Sequence, residues 1–541
     1  MTTSIVRTKS GAVKGIAKQT ELGKNYVSFQ HIPYAQEPTG ALRFRDPRPV
    51  TPWNDILDCT KEGSPARAFD LFVPDGPKIV GSDNCLGVNI FTPDLHPAKP
   101  LPVFVWIHGG GFTLGSSSLM FYGPDYLVEK DVICVSFNYR LGIFGFLSLK
   151  DPKVGVPGNA GLKDQTMALR WIKENISYFG GDPDNITVTG ESAGGASVHY
   201  HMISPLSEGL FHRAISFSGS AFNPWASASQ NYPKYLKKLI VQLGLKEDAD
   251  DKSILEAMNN MDPVKLLELD QKLIDFNDGV LGNELMSIFI PQTEPYVSEM
   301  CFLPKSILEL GRNPWSKDLD VIFGGTANEG MMQYMLAERN PHLEMFLEDP
   351  TLLIKPEIRE KLTHEEAVSK GQALKSLYFV NDDLTECFVE YSSERLFWHG
   401  IHRAIMQRQV GNGKGRTFVY YLNIEPSVDT PGYYEFCRKL SKIPHMKGMS
   451  HGEDLPLYFK TSFAPRFKPG DDIYPAQQAF LTFITDFAKN GKPNGWTPLE
   501  KGETKNVKAM EIDQKSHEMR DLKNLHKIRV WDSLYDPKEL I

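Results

Sequence analysis

Ten residues, Val188-Thr-Gly-Glu-Ser192-Ala-Gly-Gly-Ala-Ser197, constrain the fold of this chain more than any other stretch. The β-branched run Ile186 to Val188 predicts a strand, and Ala193 to Tyr200 predicts the opening of a helix. A G-x-S-x-G between strand and helix requires a turn so sharp that the central residue is strained. Glycine is needed at 190 and 194 because a Cβ there would clash with the neighbouring strand and helix. The Ser192 hydroxyl then stands at a helix N-terminus, where amide dipoles favour developing negative charge. A turn serine that merely caps a helix fits the same short pattern, so a second motif has to decide.

That motif is His108-Gly-Gly-Gly-Phe112, at the end of the apolar run Leu101–Ile107, which reads as a buried strand. Three consecutive glycines cost backbone entropy and are kept where a backbone must approach something closely. The amides of Gly110 and Gly111, with that of Ala193, can cradle a carbonyl oxygen as it becomes an oxyanion. Losing one such donor typically costs on the order of 100- to 1000-fold in rate. The two motifs together predict acyl-transfer chemistry.

Bulk properties narrow the class. The 541 residues are 41% hydrophobic and 23% charged, with a formal net charge of −8, which argues against nucleic acid and anionic membrane surfaces as partners. No apolar stretch approaches the roughly 20 residues of a membrane span. The first ten residues lack the apolar core of a signal peptide, so an intracellular location is expected. The six cysteines, at 59, 85, 134, 301, 387 and 437, have no metal-like spacing. Cys134, in Val132-Ile-Cys-Val-Ser136, is expected to be a buried reduced thiol. Asn175-Ile-Ser and Asn185-Ile-Thr match the glycosylation sequon but are expected to be plain surface or loop residues.

Strand-like and helix-like segments alternate through the first 220 residues, the pattern of a mostly parallel sheet with helices on its faces. Strands are expected at Val132–Phe137, within Phe211–Ser218, at Val321–Gly325 and at Phe418–Leu422. Helices are expected across Asp164–Phe179 and Ala476–Lys489, and mainly helical segments at Tyr232–Ile274 and Leu343–Gln409. No linker separates independent domains.

A serine nucleophile needs a histidine base oriented by a carboxylate, following it in chain order. Eight histidines lie beyond residue 330: His342, His364, His399, His402, His445, His451, His517 and His526. The residues alone leave that choice open, although His451 sits in a glycine- and serine-containing loop suited to reaching another element. The acid is equally open. Glu329 follows a strand in Thr326-Ala-Asn-Glu-Gly330, but many carboxylates compete.

Over essentially its whole length the chain resembles the type-B carboxylesterases of the cholinesterase-like family, insect α-esterases above all. The resemblance rests on Phe29–Ala35, Leu42-Arg-Phe44, Cys85 with Asn89, His108–Phe112, Asn138–Gly142, Pro157–Gln165, Phe179–Pro183 and Gly190–Gly195. It implies an α/β-hydrolase fold, carboxylic ester hydrolysis through an acyl-enzyme, and no metal or organic cofactor. Its acid context matches Glu329-Gly330 and its base context matches His451-Gly-Glu-Asp454, so it implies a Ser192–Glu329–His451 triad. Ser218 matches a serine that supports acid and base, and Trp225 matches an acyl-pocket residue. Glu191 is expected either to shape the pocket electrostatically or simply to enter the helix. Arg140 with Asp164 is expected as a buried structural ion pair, and His199 and His201 as packing or surface residues.

Departures from the family pattern are informative. In Ser82-Asp-Asn-Cys85 the cysteine lacks its usual upstream partner, because Glu62–Ala66 has none and Cys59 is the nearest thiol. That bridge is not expected, which fits a reducing compartment. No tryptophan lies between Cys59 and Cys85, where cholinesterases hold quaternary ammonium by cation–π attraction, so choline specificity is not expected.

The resulting expectation is one α/β-hydrolase domain over 1–541, with helical cap insertions at about 226–320 and 330–415, acting on small-molecule esters in detoxification or in lipid or dietary ester metabolism. The alternatives are an esterase dedicated to one hormone-like or lipid ester, a slow enzyme that sequesters organophosphates, and an inactive adhesion or scaffold relative.

Overall fold

The apolar runs expected as strands lie side by side in a computed structural model that describes residues 2–70, 78–228, 232–273, 288–333, 343–426, 447–464 and 466–541. The strands Ile133–Phe137, Leu101–Ile107, Gly181–Glu191, Arg213–Phe217, Asp320–Thr326, Thr417–Leu422 and Lys508–Ile512 are neighbours in that order, and all are parallel. Antiparallel strands extend both margins, through Gly87–Thr92, Asn25–Pro33, Ala12–Gln19 and Thr3–Arg7 on one side and His517–Asp521 on the other. Among the described residues the sheet has 13 strands, Ile56–Asp58 pairing with Ala12–Gln19 off this path.

Alternation along a central strand explains why such runs are continuously apolar. Val103, Val105 and Ile107 join a core with Trp171, Ile172, Val198 and Ile405. Phe104 and Trp106 join a second core with Phe480, Ile484 and Phe487. Both faces are buried under helices, so no position is left for polar residues.

The topology places the site. From Leu101–Ile107 the chain moves to one neighbour, Ile133–Phe137, and then to the other, Gly181–Glu191. In open α/β sheets ligands bind outside the carboxyl ends of strands at such a reversal. Ile107 pairs with Gly190, so the two glycine motifs emerge together there.

Arg140 and Asp164 form the expected pair, with Nη2–Oδ1 at 2.6 Å and Nε–Oδ2 at 2.8 Å. Arg140 Nη1 also donates to the carbonyls of Arg43 and Arg45, which ties the N-terminal segment to the helix Ala160–Asn175. Asp164→Ala strands a guanidinium that is only 3% exposed. Breaking a buried pair in this way costs about 3–5 kcal/mol, and equilibrium denaturation should register that loss. An unchanged denaturation midpoint would contradict it.

Two expectations need correction. Asn175 is not a surface residue: it is buried at the helix end, accepting from Lys9 N at 2.9 Å and donating to Trp171 O at 2.8 Å. Asn185 lies within a strand, bonded to the Arg213 side chain and the Lys489 carbonyl, and not in a loop. His199 and His201 are packing residues, one of the two roles expected for them: both are buried, and His201 links Ser207 to Gln165. Cys59, Cys85, Cys134, Cys301 and Cys387 are free and buried, and Cys437 lies outside the described residues. Burial pushes the Cys134 thiol well above its ordinary range. Among the described residues no helix is long and apolar enough to cross a membrane, and no group of three or more His, Cys, Asp or Glu could hold a metal ion.

Candidate active site

Ser192 sits between the strand Gly181–Glu191 and the helix Ala193–Ile203 with φ 58° and ψ −123°. The two flanking glycines are required by close approach. A methyl on Gly194 would meet the Ile107 carbonyl at 2.0 Å, and one on Gly190 would meet the Gly194 backbone at 2.5 Å. The Ser192 amide donates to Phe217 O at 2.9 Å, which fixes the turn to the next strand.

The glycine run beside it adopts backbone that other residues rarely take, with φ 108° at Gly110 and 60° at Gly111. Among the described residues, none accepts a hydrogen bond from the Gly110, Gly111 or Ala193 amide. His108 anchors the loop from below. Its ring stacks on Tyr139 with centroids 4.5 Å apart, and the Tyr139 hydroxyl donates to the His108 carbonyl at 3.0 Å. Burial lowers the His108 pKa to about 4, so the ring is neutral, and its Nδ1–H donates to Gly109 O at 2.8 Å.

Glu329 and His451, 122 residues apart in sequence, meet where Nδ1 of the imidazole stands 2.6 Å from Glu329 Oε2. The other carboxylate oxygen accepts from Thr326 N at 2.8 Å. Their loops are stitched together: Asn328 N donates to Met449 O at 3.1 Å, and Asn328 Nδ2 to Lys447 O at 2.7 Å. His451 Nε2 is buried without a hydrogen-bond partner among the described residues, 3.0 Å from Glu191 Oε1 but outside hydrogen-bond geometry. A methyl on Gly109 would lie 2.8 Å from Glu191 Oε2 and 3.0 Å from Ser192 Cβ, so the glycine loop, the carboxylate and the serine meet at one point.

The electrostatics are those of one imidazole among three buried carboxylates. Burial disfavours the imidazolium, but Glu191, Glu329 and Asp454 outweigh it and raise the His451 pKa to about 9. Burial lifts Glu191 to about 8 against the pull of the His451 charge. Burial, with Glu329 adding to it, lifts Asp454 to about 7.

Ser218, at φ 50°, borders Glu329: a methyl on Gly325 would meet Glu329 Oε1 at 2.4 Å and Ser218 Oγ at 3.4 Å. Trp225 stands further out, its ring 5.7 Å from Phe397, which in turn packs 4.4 Å from the His451 ring. Of the other histidines left open, His364, His517 and His526 are exposed, His399 pairs with Asp532, and His402 is buried without a partner. His342 and His445 lie outside the described residues. Sequence reasoning missed Asp454 and Phe397. Only Asp454 carried a signal, as part of the acidic stretch after His451.

Comparison with known proteins gives the family. The profile of the carboxylesterase family matches residues 2–531. Esterase B1 of Culex pipiens is 35% identical over 552 residues, spanning 99% of this chain and 98% of its own. A juvenile hormone esterase of Tribolium castaneum is 31% identical, spanning 94% and 88%. The crystal structure of juvenile hormone esterase from Manduca sexta, with OTFP covalently attached, superimposes with a TM-score of 0.84 at 28% identity, covering 99% of this chain and 100% of that one. The fold is that of the α/β-hydrolases, as the resemblance implied. With the family profile matched along nearly the whole chain and esterases as its relatives, this protein belongs to the carboxylesterase family and is a carboxylic ester hydrolase.

Proposed function

We propose that Ser192, Glu329 and His451 act as the catalytic triad, with Gly110, Gly111 and Ala193 as the oxyanion hole. The observation that carries this reading is the buried 2.6 Å contact of His451 Nδ1 with Glu329, beside a serine strained at the strand–helix turn. A carboxylate that only accepts fixes the proton on Nδ1, which leaves Nε2 free to take the serine proton. Ser192 Oγ then attacks the ester carbonyl, and the three amides meet the oxygen that becomes negative. His451 returns the proton to the leaving alcohol. Water, deprotonated by the same nitrogen, splits the acyl-enzyme and releases the acid.

The substrates on this reading are small neutral carboxylic esters. The aromatic surroundings of Trp225 and Phe397 suit an apolar acyl group. The likeness to juvenile hormone esterases supports a second reading, an elongated hormone-like or lipid ester. Residues 1–541 form one domain on both readings, with helices such as Tyr232–Gln242 and His364–Tyr378 belonging to the cap insertions at about 226–320 and 330–415. The same serine would be phosphorylated by organophosphates.

A stopped-flow record of nitrophenyl acetate hydrolysis tests the acyl-enzyme. A burst of nitrophenol equal to the enzyme concentration is expected wherever deacylation is slower than acylation, with methanol speeding turnover by intercepting the acyl group. Methanolysis products absent at every methanol concentration would contradict it. A chain-length series of acyl esters separates the two substrate readings.

The pH profile follows from the carboxylates around His451. The base must be neutral, and its proton is held by neighbouring negative charge. The acidic limb of kcat/KM, which reports the free enzyme, therefore lies above the ordinary histidine value of about 6.5. Glu191→Gln removes one charge that favours the imidazolium, so the limb moves to lower pH. A limb that stays in place or moves upward would contradict the electrostatic role of Glu191.

A further inference from the structure

The loop that carries Glu329 is gripped at both ends by one helical stretch. Gly330 N donates to Ser393 Oγ at 2.8 Å, at the end of the α-helix Leu384–Ser393. The Trp398 indole, at the end of the π-helical turn Glu394–Trp398, donates to Thr326 O at 3.0 Å. A methyl on Gly330 would meet Val389 O at 2.4 Å, so loop and helix pack backbone to backbone. Beside these two grips a narrow crevice remains, lined by Ala327 of the loop, by Ser393, Glu394 and Trp398 of the helical stretch, and by Tyr421 and Lys523. It admits one water-sized group. It shares no lining residue with Ser192, His451 or the glycine run.

Glu394 is the unusual member. It is 2% exposed, and the Tyr378 hydroxyl, which itself accepts from the Trp531 indole at 2.7 Å, donates to its Oε2. Its Oε1 is buried and has no hydrogen-bond partner among the described residues. Neither protonation state repairs this: an ionised Oε1 lacks a donor, and a protonated one lacks an acceptor. Buried polar atoms in folded proteins are almost always satisfied, so a partner from outside the chain is called for. Burial, with the Glu390 charge adding to it, pushes the Glu394 carboxyl up to about 8 despite the Tyr378 bond and the nearby Lys527.

The charges around the crevice decide what that partner is. Glu390, one helical turn before Glu394, is satisfied by Lys527 Nζ at 2.6 Å and Asn524 Nδ2 at 3.2 Å. Lys523 is spent on Glu511 Oε1 at 2.6 Å. Each neighbouring lysine thus has a carboxylate of its own, and neither is bonded to Glu394. Water would supply a donor but no charge, and no group of three or more His, Cys, Asp or Glu among the described residues could hold a metal ion. Trp398 and Tyr421, with ring centroids 5.1 Å apart, add an aromatic wall, which attracts cations. We propose that this crevice binds the primary ammonium head of a protonated amine, which donates to Glu394 Oε1. The amine then rests on Ala327, two residues from Glu329, and outside the ester pocket.

Calorimetric titration of the whole protein with methylammonium chloride tests the site. Saturable binding is expected, and it should tighten as pH rises through about 8, because Glu394 gives up its proton while an alkylamine, like lysine at about 10.4, keeps its own. Tetramethylammonium, which has no N–H, and potassium chloride at equal ionic strength should give no such binding. Glu394→Gln keeps an oxygen for Tyr378 but loses the charge, so its affinity for methylammonium should fall about 10-fold or more. Protein whose serine is blocked by a fluorophosphonate should bind methylammonium as tightly as free protein. Absence of saturable binding would mean that Oε1 holds only water, and would overturn the proposal. So would equal binding of tetramethylammonium, undiminished affinity in Glu394→Gln, or loss of binding in the blocked protein, which would place the amine in the ester pocket. If Glu394→Gln fails to fold, the contrast between the two ammonium ions in the wild type decides.

Discussion

Ser192→Ala should lower kcat for a short-chain naphthyl or nitrophenyl ester by about a million-fold, the scale on which removing a triad serine acts in other hydrolases. Alanine carries the same Cβ as serine, so the strained backbone at φ 58° meets no new contact, and the thermal midpoint should be unchanged. The hydroxyl is not part of the fold's hydrogen bonding: the Ser192 carbonyl still accepts from Ala196 N at 2.9 Å, and its amide still donates to Phe217 O. The loss therefore reports chemistry and not folding. Some acceleration over water should survive, because the amides of Gly110, Gly111 and Ala193 still face the carbonyl oxygen. A folded variant with full activity would remove Ser192 from the reaction.

Glu329→Gln should cost about 10,000-fold, for a change of one atom. Glu329 Oε1 accepts from Thr326 N and Oε2 contacts His451 Nδ1. A carboxylate can accept on both sides, but an amide cannot. If the glutamine turns its NH2 toward Thr326, two donors face each other in a buried space. If it turns its NH2 toward His451, Nδ1 must accept, and the ring proton moves to Nε2, where it blocks uptake of the serine proton. Turnover of nitrophenyl acetate, read with the thermal midpoint, checks this. A loss of less than about tenfold would mean that Glu329 does not set the tautomer.

How much of this was legible in the sequence depends on whether the constraint was local. The elbow was legible because its glycines answer contacts made within a few residues and with one adjacent strand. The strands were legible because burial on both faces leaves continuous apolar runs, as in Leu101–Ile107. The choice of His451 was not, since eight candidates fitted the chain order, and what distinguishes it is a carboxylate 122 residues away. Family resemblance supplied that link before the structure did. Asn175 misled for the same reason: a sequon is a three-residue pattern, whereas the burial that consumes its side chain comes from Lys9 and Trp171. Phe397 left no trace at all. It lies in the π-helical turn Glu394–Trp398, and such a turn has no sequence signature comparable to a cap or a glycine turn. Asp454 lay in plain view after His451, but its importance arises from burial beside Glu329 and Glu191, which no count of charges reveals.

One experiment bears most directly on the central claim that this chain carries an activated serine at residue 192. The folded protein is incubated with a fluorescent fluorophosphonate and the labelled peptide is located by mass spectrometry. Stoichiometric labelling at Ser192, abolished in Ser192→Ala and slowed strongly in Glu329→Gln, is the predicted result. A folded protein that takes no label, or takes it on another residue, would contradict the triad.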